Sequence, residues 1–266
     1  MIKTMTMLID NKYFKEYRNK IGFNNQNDVK NYFSAKDLTP SIDMEYIINL
    51  NTRLESITEI INSAINSRIQ VENIAQFNSL NITQTFEKLR LNGILSQLNN
   101  QGRRPEQVYF SWMRGFVLSN LFLKSLGIIF NTEIDNIQLI GDDDLNNIET
   151  FKRTPKADLQ VNTPQNGELR IEMQTGFKGI NDIKQHKVLE AKKVKLDYGI
   201  STIAIHFDLY NGQTAFVKLD EIEEGSLNWI TRQQMEGQTV FNIDQNYFVW
   251  KILEEPPLFE NLSSQM

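Results

Sequence analysis

Two-residue alternation across residues 168–174 constrains this chain more than any other feature. Leu169, Ile171 and Met173 fall on one side, and Glu168, Arg170, Glu172 and Gln174 on the other. That is the pattern of a half-buried β-strand. Residues 157–161 repeat it, with Ala157, Leu159 and Val161 as the apolar set and Asp158 and Gln160 opposite. The connector Thr163-Pro164-Gln165-Asn166-Gly167 is short enough to make the two strands neighbours. Asp158 and Glu172 are therefore expected to converge, together with Gln174, at one edge of a sheet. The same alternation is what any half-buried sheet shows, so solvent is an equally valid destination for these polar side chains.

The loop Gly176-Phe177-Lys178-Gly179 is expected to open a helix, whose free N–H groups and Lys178 would make a phosphate seat. At 100° per residue, Ile180, Ile183, Lys184, Lys187, Val188, Ala191 and Val194 share one face of that helix. Two lysines then lie among residues that pack, where lysine is normally absent or snorkels outward. Lys184 or Lys187 turned back towards the carboxylates accounts for the placement.

The flanking sequence supplies the scaffold. Ile47, Leu50, Leu54, Ile57, Ile61 and Ile65 recur at helical spacing, as do Ile82, Phe86, Leu89 and Leu98. Residues 1–100 thus read as a helical region for packing, dimerisation or DNA contact, and residues 101–266 as a second unit. After a break at Asn99-Asn100-Gln101-Gly102, Pro105 and Glu106 suit the first turn of an apolar helix. It is expected to run to about Leu126, with Gly127 as its C-cap. Residues 199–207 form a near-continuous apolar, β-branched run expected of a central strand. Within it, His206 reads better as a satisfied strand-end histidine than as a ligand. The turn Asn211-Gly212 leads to a hairpin partner at 214–219. An α/β fold follows.

Charge and composition exclude several classes. The chain of 266 residues has no cysteine, which rules out disulfides and thiolate metal sites. No apolar run suggests a membrane span, and the N-terminal apolar stretch is too short for a secretory signal, so a cytoplasmic protein is expected. The net charge of −5 hides a local excess of base. Residues 151–195 hold ten Lys and Arg against five Asp and Glu, and residues 85–130 hold six against two. Local charge governs contact with phosphate more than the chain total does. The turn Gly141-Asp142-Asp143-Asp144 reads as a solvated acidic turn, since it lacks the glycine and final glutamate of an EF-hand loop.

Two converging carboxylates suit Mg²⁺, which takes one or two from protein and keeps waters and substrate phosphate oxygens. Residues 155–174 also resemble the motif of the PD-(D/E)XK nuclease superfamily, best known from type II restriction endonucleases. Pro155-Lys156-Ala157-Asp158 is followed, after thirteen residues, by Glu172-Met173-Gln174. The proline lies three residues ahead of the aspartate instead of next to it, and glutamine replaces the motif lysine. The second departure is similar to a minority Glu-x-Gln pattern in the family, and some members carry the lysine on the following helix.

The resemblance implies a central mixed sheet flanked by helices. It implies a Mg²⁺-dependent, sequence-specific endodeoxyribonuclease acting on double-stranded DNA as a homodimer. Asp158 and Glu172 would bind the metal, Gln174 would orient the attacking water or a phosphate oxygen, and Lys187 would replace the motif lysine. Arg103, Arg104, Lys178 and Lys184 would contact DNA. Glu106 would be an auxiliary carboxylate, although an acid stabilised by the dipole at a helix start fits it equally. A non-specific repair or phage-defence nuclease, and a non-catalytic DNA-binding or structural protein, are the alternatives.

Overall fold

Alternating apolar residues form the strands of a mixed sheet, and the apolar helices cover it. The computed structural model describes residues 10–23, 25–35, 38–98, 103–141, 156–163, 167–233 and 237–262. The break at 99–102, the acidic residues Asp142–Asp144, Pro155 and the connector residues 164–166 lie outside them.

The strands are β1 (Ile137–Leu139), β2 (Leu159–Thr163), β3 (Gly167–Gly176), β4 (Asp182–Lys184), β5 (Ser201–Asp208), β6 (Gln213–Lys218), β7 (Trp229–Arg232), β8 (Gln238–Asn242) and β9 (Phe248–Lys251). Six of them make the central sheet in the order β1-β2-β3-β5-β6-β9. Only β3 and β5 pair in parallel; the other pairings of that sheet are antiparallel. A smaller sheet, β4-β8-β7, is antiparallel throughout. Arg232 and Asn242 both donate to the carboxylate of Asp182, tying its three strands together.

The helices are α1 (Asn11–Ile21), α2 (Gln26–Phe33), α3 (Met44–Ala64), α4 (Ile74–Asn78), α5 (Thr85–Leu91), α6 (Pro105–Leu121), α7 (Leu123–Ile129), α8 (Gln185–Tyr198) and α9 (Phe259–Leu262). One face of the central sheet carries Leu159, Leu169, Ile171, Ile203, Ile205 and Phe216, packed against Phe122, Leu126 and Ile129. On the other, Ala204, Ala215 and Val217 meet Val188 and Ala191 of α8 and Phe241 of β8. A third core joins Ile47 and Leu54 of α3 and Phe86 and Leu89 of α5 to Val108, Tyr109, Met113 and Val117 of α6. The boundary read between residues 100 and 101 thus separates elements that share one core. Among the described residues, no helix is long and apolar enough to cross a membrane.

Three local expectations are corrected. The helix read as continuous to Leu126 breaks at Phe122, and Gly127 lies inside α7 instead of capping it. A Cβ on Gly127 would meet the carbonyl oxygen of Thr132 at 3.1 Å, so this glycine admits the returning chain. The helix expected from residue 180 begins at Gln185, because residues 182–184 pair with β8 as β4. The loop after Gly176 therefore opens no helix, and the phosphate seat of helical N–H groups expected there does not form. Finally, the second helical stripe is a π-helical segment, Ser79–Gln84, running into α5 and ending near residue 91.

Candidate functional site

Pairing register brings the two carboxylates together. Leu159 lies opposite Ile171 in the antiparallel β2–β3 pair, so Asp158, one residue before β2, falls opposite Glu172. The Asp158 N–H donates to the Ile171 carbonyl at 3.1 Å, and its Oδ2 accepts from the N–H of Met173 at 2.7 Å. These bonds hold the aspartate against β3 although it lies just outside the strand. Glu172 is 5% exposed, and its Oε2 accepts from Lys187 Nζ at 2.8 Å.

Lys187 reaches Glu172 from the first turn of α8 and also donates to the Lys156 carbonyl at 3.1 Å. It is the closest cation to the acid pair among the ion pairs of the described residues. Lys184 is exposed and precedes α8 on β4, so the turn that brings Lys187 inward leaves Lys184 outside. Burial of Glu172, with the charge of Asp158 second, pushes its pKa up to about 8 against the pull of Lys187 and Gln174. Asp158 and Glu172 thus sit opposite in register, near enough for the charge of one to raise the pKa of the other, with the Lys187 ammonium on Glu172.

Gln174 follows two residues along the same strand face. In the parallel β3–β5 register it lies beside His206. His206 Nδ1 is 3.4 Å from Gln174 Oε1, and its Nε2 is 2.7 Å from Asn181 Oδ1. The short contact to a carbonyl oxygen selects the Nε2–H tautomer for the neutral ring. Burial pulls the His206 pKa down to about 4, against the opposing charges of Asp208 and Asp182, so the ring is neutral near pH 7. The ring also explains Gly176, where an added Cβ would lie 2.9 Å from His206 Nε2. Asn181 and His206 therefore lie beside Gln174, a neighbourhood invisible in local spacing because strand pairing across about thirty residues creates it.

The remaining candidates divide. Glu106 has no exposed surface; it accepts from the Asp43 N–H at 2.8 Å and from two guanidinium nitrogens of Arg104. Burial acts to raise its pKa, but the bonds from Arg104 and Asp43 outweigh that and hold it below the ordinary range. This arrangement clasps the start of α3 to the start of α6, with Asp43 and Arg104 as the partners of Glu106. Arg104 is held in the clasp. Arg103 and Lys178 instead line a hollow of about 250 Å³ with Phe110, Phe177 and Arg114. Arg114 went unnoticed in the sequence; its signal was a single cation in the apolar run of α6.

A second hollow, of about 300 Å³, opens between α6 and the sheet and is lined by Ser111, Gly115, Ser119, Asp158 and Met173. Ser111 borders both hollows. Among the described residues no cluster of three or more His, Cys, Asp or Glu side chains could hold a metal. The candidate donor set is the pair Asp158 and Glu172. That number fits Mg²⁺, which takes much of its shell from water and phosphate, and does not fit a closed protein-only site. Burial, and after it the charge of Asp158, raises the Glu172 pKa, and a bound cation would relieve both.

No protein-family model matches the chain, and no curated protein matches it. Among solved structures it is similar to the 1.6 Å structure of Hjc from Archaeoglobus fulgidus, a Holliday junction resolvase from an archaeal hyperthermophile. The identity is 10% and the TM-score 0.33, over 55% of this chain and 98% of that one.

Proposed function

We propose that this protein is a Mg²⁺-dependent endodeoxyribonuclease of the restriction type, hydrolysing phosphodiester bonds in duplex DNA. The observation that carries the reading is the placement of Lys187 on Glu172, with Asp158 opposite across β2 and β3. Acid, acid and lysine are the three groups of the motif, and here the lysine comes from α8 because β3 carries Gln174 in its place.

Asp158 and Glu172 would hold the Mg²⁺. The cation, when bound, lowers the pKa of water and shields charge on the phosphate. The chain's own groups do the positioning. Gln174, beside His206 in the strand register and hydrogen-bonded to Glu172, would orient an attacking water or a phosphate oxygen. Lys187 Nζ, with two of its N–H groups on the Lys156 carbonyl and Glu172, has one left to donate to the charge that develops on the phosphate. A homodimer would present two such sites to a palindrome and cut both strands.

Plasmid digestion with Mg²⁺ tests the reading, comparing the natural protein with Asp158→Ala and Glu172→Ala. Each substitution is expected to reduce cleavage by at least a hundredfold. Equal cutting by both variants would remove the assignment. A defined band pattern supports restriction, whereas a smear supports a non-specific nuclease of the same design.

A further inference from the structure

Arg114 is half-buried on α6, with its guanidinium carbon 4.5 Å from the ring centre of Phe177 and 5.6 Å from that of Phe110. Among the described residues, no carboxylate forms an ion pair with Arg114, Arg103 or Lys178, whereas the neighbouring Arg104 is paired with Glu106. Burial first, and the nearby charge of Arg103 second, make it harder for Arg114 to hold its proton. A guanidinium stays charged regardless. A partly desolvated cation facing another cation is an unfavourable arrangement that an anion would relieve.

The surroundings specify the anion. Arg103, Arg114 and Lys178 border one open hollow of about 250 Å³, with Gln107 as a further polar group. The guanidinium lies against two rings, which restricts it and leaves its edge as the donor fork, the geometry that takes two oxygens of one phosphate. The hollow adjoins that of Asp158 through Ser111. Phe177 is five residues beyond Glu172, so at about 3.3 Å per strand residue it lies within roughly 16 Å. At about 3.4 Å of duplex axis per nucleotide, that spans no more than about five nucleotides.

We propose that this hollow seats one backbone phosphate of the DNA strand, with Arg114 as its main donor and Arg103 and Lys178 as supporting contacts. The proposal rests on the nuclease reading of the Asp158–Glu172 site and adds to it a fixed point of strand contact away from the cut.

The test is fluorescence anisotropy with a labelled 25-base-pair duplex in EDTA, so that binding is read without cleavage, from 50 to 200 mM salt. Arg114→Ala is expected to weaken binding about tenfold at 50 mM salt, the loss of one charge-assisted contact. It should also reduce the slope of log affinity against log salt by about 0.9, the loss of one phosphate contact. Arg114→Lys should keep the slope near that of the natural protein but bind several-fold more weakly, since an ammonium neither stacks nor forks. It also keeps the test open should the alanine variant fail to fold.

Unchanged affinity and slope in Arg114→Ala, with the natural protein binding duplex, would overturn the seat and leave the nuclease reading standing. Full recovery of affinity by lysine would assign the effect to charge alone and overturn the seat as described. Natural protein that neither binds nor cuts duplex DNA would remove both.

Discussion

Replacing Glu172 with glutamine should stabilise the metal-free protein while abolishing cleavage. The unfolded acid titrates near 4.5, and burial beside Asp158 raises the folded value to about 8. Below pH 4.5 the group is protonated in both states and makes no difference to stability. As pH rises from there, the unfolded chain releases its proton while the folded chain keeps it, so stability falls until about pH 8. At about 1.36 kcal/mol per unit, the largest possible loss is roughly 4–5 kcal/mol. Because glutamine also gives up the charged partner of Lys187, about half of that, ~2 kcal/mol, is the expected gain for Glu172→Gln at pH 8. In a chain of this size, that corresponds to a rise of about 4–8 °C in melting temperature.

The assay is thermal unfolding in EDTA from pH 4 to 8.5. The variant should match the natural protein near pH 4 and diverge upward as pH rises. Adding Mg²⁺ should then raise the melting temperature of the natural protein and leave the variant unmoved, since only the former has two carboxylates. A variant less stable at pH 8 would mean that the Lys187 contact outweighs both burial and Asp158. The view of Glu172 as an acid kept at the expense of stability would then be wrong.

Lys187→Met should lower the cleavage rate by two or more orders of magnitude, read as single-turnover cleavage, while Lys184→Met should leave that rate within a few-fold; the reverse order would sink the placement. Gly176→Ala should destabilise the fold by about 1–3 kcal/mol in chemical denaturation, because the new methyl group must displace the buried His206 ring. A neutral effect would show the ring free to move. His206 has a folded pKa near 4 against 6.5 unfolded, so it should cost stability as pH falls from 6.5 to 4. His206→Gln should flatten that limb of the stability profile, and an unchanged limb would count against a neutral buried ring. Glu106→Ala leaves the Asp43 N–H and Arg104 without their acceptor and should cost about 2–3 kcal/mol, checked by urea unfolding.

Strand alternation and a short connector depend on neighbouring residues alone, so the facing of Asp158 and Glu172 was legible in the sequence. The same holds for β5, whose unbroken apolar run can only lie inside, and for its hairpin with β6. Other features depended on distant partners. Residues 182–184 suit a helix by their own spacing, but pairing with β8 makes them a strand, and this shift separates an exposed Lys184 from a Lys187 in contact with Glu172. Gly127 looked like a cap because the returning Thr132 carbonyl cannot be seen in local spacing.

Periodicity assigns a face but not what lies across it. That is why Gln174 acquired His206 only through the β3–β5 register, and why Arg104 and Arg103, adjacent in the chain, have different fates. The sequence by itself determined which side chains share a surface, because the backbone repeat of a strand is fixed by covalent geometry. Only the tertiary structure decided which charges are neutralised, because the burial and partners that set their energies come from segments far away in the chain.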